Sequence, residues 1–181
     1  MKDSQQCSNK HRPAHVAGAE AAGGAVVLPS EQAEQMREHA RKTYPEECCG
    51  ILLGRRNHSQ VICSVYPTSN CMTVRTHDRY EMDPREILRA DRAAEKEGEE
   101  ILGFYHSHPD HPPAPSPTDA EFAWPGYIYL IIAVKEGKET QIKAWTYDEP
   151  LKHFREHPIK RSGETKKTSA GICRKPVTTG R

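Results

Sequence analysis

Two histidines one residue apart, His106 and His108, close an apolar run that begins at Ile101, and a proline-rich loop leads from them to Ser116-Pro117-Thr118-Asp119. If the run is a strand, alternate side chains share a face, so His106 and His108 project from the same side and can hold one metal ion. The loop is long enough to fold the Asp119 carboxylate back over that pair. Two imidazoles and a carboxylate, with a fourth position open, form the ligand set of a catalytic zinc rather than of a closed structural site. Each half also has an ordinary reading. Any two histidines on a strand can sit this way, and Ser116 as N-cap, Pro117 at the first helical position and Asp119 in the first turn make a good helix start. Together, at this spacing, the halves are far more specific than either alone.

Such a site needs a frame. From Ser30, EQAEQMREHARKTY predicts a helix with Ala33, Met36 and Ala40 at helical spacing, closed by Pro45. Cys48 to Leu53 is a continuous apolar run suited to a buried strand. Glu47 stands just before it, where a glutamate is most often simply solvated. Gln60 to Tyr66 predicts a hairpin partner, Pro67 to His77 a polar loop and Arg79 to Met82 a short strand. Asp83-Pro84-Arg85-Glu86 opens a second helix that runs to about Glu97 and stops at Gly98. Gly126 to Val134 predicts a central strand, Gln141 to Tyr147 another, and His153 to Ile159 a last edge strand. Helix, strands, helix, strands in this order imply an α/β sandwich built on a mixed β-sheet flanked by helices.

The chain of 181 residues fits one domain with tails. Residues 1–27 and the basic stretch 160–181 lack apolar periodicity and are expected to be disordered, leaving 28–159 as the folded domain. A net charge of +1 gives no global basic field, so nucleic acid is not an expected partner. No apolar run approaches the ~20 residues of a membrane span, and the N-terminus has no hydrophobic signal core. The six cysteines show neither CxxC pairs nor framework spacing. A reducing cytoplasmic setting is the expectation.

With Glu47, His106, His108, Ser116 and Asp119 placed, the chain resembles the JAMM/MPN+ metalloproteases. The family pattern is a Glu shortly before a strand, then His-x-His, seven intervening residues, a Ser, two more residues and an Asp. This sequence reads Glu47-Cys48-Cys49-Gly50, His106-Ser107-His108-Pro109, Ser116 and Asp119. The resemblance implies a fold of the MPN/JAB1 type, a cytidine-deaminase-like sandwich. It also implies Zn²⁺ held by His106, His108 and Asp119, with Glu47 as the acid/base group and Ser116 as donor to the oxyanion. His111, in the proline-rich loop, is not used by the pattern.

Enzymes of this family cut after the C-terminal Gly-Gly of ubiquitin-like folds, where only glycine fits the groove beside the metal. Short loops resemble the compact bacterial members, which process ubiquitin-like sulfur-carrier proteins by trimming or by cysteine release. That is the expected partner and reaction, with the substrate tail added as a strand near Pro67 to Asn70. The alternatives are an isopeptidase that takes ubiquitin-like modifiers off lysine and a non-catalytic MPN-type binding module. A homodimer is left open.

Overall fold

The computed structural model describes residues 24–161, so most of the two expected tails lies outside the described residues. The elements are β1 (Val26–Val27), α1 (Ser30–Thr43), β2 (Cys49–Arg56), β3 (Gln60–Thr68), α2 (Pro84–Lys96), β4 (Glu100–Pro109), α3 (Pro117–Phe122), β5 (Ile128–Lys135), β6 (Lys138–Asp148), β7 (His153–His157) and β8 (Ile159–Lys160). The strands form one mixed sheet in the order β7-β6-β5-β4-β2-β3-β1-β8, flanked by helices as expected. β4 and β5 are parallel, as are β1 and both its neighbours, and the remaining pairs are antiparallel.

The expected last strand is divided. β7 lies at one edge of the sheet and β8 at the other, with only Pro158 between them. Residues two apart in sequence are separated by at most ~7 Å, so the sheet curls until its edges approach. α1 fills the inside of that curl. Its stripe of Ala33, Met36 and Ala40 packs with Leu52, Ile62, Leu102, Leu130 and Ile132. β1 closes the same core: Val26, within the segment expected to be a tail, is fully buried.

α2 covers the outer face, with Ile87, Ala90 and Ala94 against Ile51, Leu53, Ile101 and Phe104. Its start is the one its residues predict, since the Asp83 side chain accepts from the Arg85 backbone N–H at 2.8 Å and Pro84 is the first helical residue. Past its end Gly98 takes φ +64°, a conformation that glycine adopts without steric cost.

Arg79 to Met82 does not form a strand. The Arg79 carbonyl and the Glu81 N–H are both bonded to the Asn70 side chain, which does for this segment what a neighbouring strand would do. One backbone bond, from Cys71 N–H to the Glu81 carbonyl, closes the same loop.

β4 is the strand on which the site depends, and its fit against β5 is close. Gly103 faces Ile128, and a Cβ at Gly103 would lie 1.9 Å from the Ile128 carbonyl oxygen. Gly103→Ala must therefore push the two backbones apart. It is expected to destabilise the fold by about 1–3 kcal/mol or more, read as a lower urea midpoint at unchanged slope; an unchanged midpoint would contradict this packing.

Candidate metal centre

Beyond Gly103, β4 carries Phe104, His106 and His108 onto the outer face, where Phe104 joins the α2 core. His106 Nε2 and His108 Nε2 are 2.9 Å apart. Asp119 Oδ1 lies 3.1 Å from the first and Oδ2 3.7 Å from the second. Zinc bonds of about 2.0–2.2 Å in tetrahedral array set ligand atoms about 3.3–3.5 Å apart; with one ligand atom from each residue, these three lie within 4.8 Å of one another, close enough to converge on one ion. Among the described residues they are the one such cluster of three or more.

The tautomer fits as well. His108 Nδ1 is 3.0 Å from the Pro112 carbonyl, which can only accept. The neutral ring therefore carries its proton on Nδ1 and leaves the Nε2 lone pair for a metal ion. His106 has no such partner at Nδ1, and its ring is held by stacking on Tyr80, centroids 4.7 Å apart at 27°.

Asp119 is fixed by the start of α3. Its Oδ2 accepts from Ser116 N–H and from the Ser116 hydroxyl, both at 2.6 Å, while its own N–H donates to Ser116 Oγ at 3.1 Å. The helix cap and the metal ligand are thus one device. The loop before it is pinned at two points. Trp145 Nε1–H donates to the Pro113 carbonyl at 3.0 Å, and Asp110 accepts from Tyr44 Oη–H and Glu136 N–H.

Burial works to raise Asp119, but the His106 beside it and hydrogen bonds from both histidines and Ser116 hold it far below the usual carboxylate range. For His108 burial favours the neutral ring, and Asp119 with the Pro112 carbonyl outweighs it to give a net upward shift.

Glu47 reaches the same place from β2. It is 5% exposed, and burial raises its pKa although both histidines pull the other way. The strand behind it is locked to β4 through Ser107, between the two histidines on the opposite face. Ser107 Oγ accepts from Cys48 N–H at 2.9 Å, and Ser107 N–H donates to the Cys48 carbonyl at 3.1 Å. On its other side Glu47 is held by the loop after β3: its N–H donates to the Thr76 carbonyl at 2.8 Å, and its carbonyl accepts from Asn70 Nδ2 at 3.4 Å. Asn70 Oδ1 takes Met72 N–H and Glu81 N–H, so this one amide ties the base candidate to the segment that carries Tyr80.

Two clefts meet at the centre, both lined by Glu47 and Ser116. One, about 60 Å³, runs between the Asp78–Met82 segment and α3, past Phe104, Phe122 and Trp124. The other, about 360 Å³, opens past His77, His108 and His111. The structure therefore brings together His106, His108, Asp119 and Ser116 and sets Glu47 beside them. His111 lies exposed on the wide cleft and outside the cluster. Tyr80, Ser107 and Trp145 were not read from the sequence, and Asn70 only as the end of the expected substrate edge, without its side-chain role. Each acts through a partner distant in the chain or on a neighbouring strand, which no local spacing signals.

Comparison with known proteins agrees with this geometry. Residues 29–148 match the family of prokaryotic homologs of the JAB domain. The chain belongs to that family. It is similar to a desampylase of Haloferax volcanii, 41% identical over 129 residues, 68% of this chain and 90% of the relative. A probable TtuB-protein conjugate cleaving protease of Thermus thermophilus is 36% identical over 56% of this chain and 65% of its own length. A CysO-cysteine peptidase of Mycobacterium bovis is 27% identical over 66% of this chain and 81% of its own length. With the His106, His108 and Asp119 cluster present, this JAB-domain protein is a metallopeptidase of JAMM type. No helix among the described residues is long and apolar enough to cross a membrane.

Asn70→Ala should leave the Met72 and Glu81 N–H groups and the Arg79 carbonyl without their side-chain partner and cost about 1–3 kcal/mol. Turnover should fall, because the loop held by Asn70 borders Glu47 and carries Tyr80, which stacks on His106. A denaturation curve beside steady-state kinetics checks both, and unchanged stability and turnover would contradict this role for Asn70.

Proposed function

We propose that this JAB-domain peptidase hydrolyses the bond after the C-terminal Gly-Gly of a ubiquitin-like sulfur-carrier protein. The observation that carries the reading is that Asp119 of the metal cluster, Ser116 and the buried Glu47 line one cleft of about 60 Å³. A space of that size beside the reacting bond favours residues without side chains. Zn²⁺ held by His106, His108 and Asp119 would supply an acidified water and a Lewis acid for the scissile carbonyl.

The chain's own residues do the rest. The Glu47 carboxylate takes a proton from the attacking water and returns it to the leaving nitrogen, and its raised pKa suits a group that must both take and give. Ser116 Oγ–H, which donates to Asp119 at 2.6 Å, turns to the developing oxyanion. The tail reaches the centre along β3. β1 pairs only with Gln60 and Val61, so the far part of that strand, toward Pro67 and Asn70, has an open edge among the described strands.

A second reading is favoured by the wide cleft and by the relatives named desampylase and conjugate cleaving protease: the leaving nitrogen is a lysine side chain rather than an α-amine. The chemistry on the acyl side is the same in either case.

Intact-mass spectrometry tests both readings. A carrier extended past Gly-Gly, a carrier–cysteine adduct and a carrier linked to lysine are each incubated with zinc-loaded protein. Loss of one extension is expected with the native chain, and Glu47→Gln should retain metal while losing about 10²–10⁴ in rate. A chelator should abolish cleavage and zinc should restore it. No cleavage of any of the three by zinc-loaded protein would overturn the proposal.

A further inference from the structure

We infer that Arg79 binds the main chain of the substrate's acyl tail, its guanidinium donating to peptide carbonyl oxygens in the narrow cleft; this rests on the peptidase reading above. Arg79 lines that cleft beside Glu47, Ser116 and Asp119. Its Nε is buried and has no hydrogen-bond partner, and its guanidinium makes no ion pair with any described residue. Its neighbour Asp78 is bonded by Arg75 through Nε at 3.2 Å and through Nη2 and feels the Arg79 charge without a direct ion pair.

The backbone around Arg79 is fixed at every side. The Arg79 carbonyl accepts from Asn70 Nδ2 at 2.9 Å, the Glu81 N–H donates to Asn70 Oδ1 at 3.1 Å, and the Tyr80 ring stacks on His106. A rigid segment therefore presents an unpaired cation to the space next to the reacting centre. A buried N–H without a partner is costly, and a ligand that brings an acceptor removes that cost.

The chemistry of the acceptor follows from the cleft. A tail of glycines carries no side chain to be read, so its peptide groups are all that remains, and their carbonyl oxygens are acceptors. The planar guanidinium fork can span two of them, which a lysine ammonium does not reproduce. Arg79 does not line the wide cleft of about 360 Å³ past His77, His108 and His111, which is the space open to the leaving group. Its contribution thus belongs to the acyl side and is indifferent to what departs.

Steady-state kinetics on the zinc-loaded full chain tests this. Arg79→Ala is expected to raise KM about ten-fold or more, with kcat within about three-fold and metal content unchanged. The factor should be the same for an α-amine extension and for a lysine-linked one, and Arg79→Lys should restore only part of it. In calorimetry, adding Arg79→Ala to Glu47→Gln should weaken binding of a carrier ending in Gly-Gly by the same factor. Unchanged KM and carrier affinity in a protein whose native form cleaves would overturn the inference alone. So would an effect confined to kcat or to one leaving group. Absence of cleavage by the native protein would overturn the substrate reading and this inference with it.

Discussion

Two imidazole nitrogens 2.9 Å apart, with a carboxylate oxygen 3.1 Å from one of them, sit on residues that are almost entirely buried. Groups that turn lone pairs and negative charge toward one point in a low-dielectric place repel each other unless a cation lies between them. Much of the architecture serves to hold them in that arrangement. The fit of Gly103 against Ile128 sets β4 beside β5. The alternation of β4 then puts both histidines on one face, and the cap of α3 brings the third ligand across.

The same short segment serves two purposes. His106 and His108 face outward to the cluster, while Ser107 between them faces inward and locks Cys48, and with it the strand that delivers Glu47. The two histidines and the proposed acid/base residue Glu47 are thereby fixed by one pair of adjacent strands. The loop after β3 completes the enclosure. Asn70 uses its amide nitrogen and its acceptor oxygen to hold the Arg79–Glu81 segment against Glu47, so the wall of the narrow cleft and Glu47 are tied into one piece. Such satisfied polar networks give rigidity where the chemistry requires it.

What could be read in advance follows the distinction between local and distant interactions. His106, His108, Ser116 and Asp119 were legible because strand alternation and helix capping are local rules, and both act within a stretch of some twenty residues. The α2 start at Asp83-Pro84 was legible for the same reason. Glu47 was identified only through the family resemblance, since a glutamate before a buried strand is ordinary. Arg79 to Met82 misled because R-Y-E-M alternates like a strand, whereas its backbone partners sit on a side chain nine and eleven residues away. The curl of the sheet was not legible either. It depends on β1 and β8, two residues each and too short for any pattern, meeting at an edge on the far side from β7.

The most direct test is anomalous diffraction at the zinc edge from crystals of the zinc-loaded protein. One strong peak is expected, bonded to His106 Nε2, His108 Nε2 and an Asp119 oxygen, with the fourth position free of protein ligands and facing Glu47. A peak elsewhere, a fourth protein ligand closing the site, or full loading without a peak between these residues would contradict it.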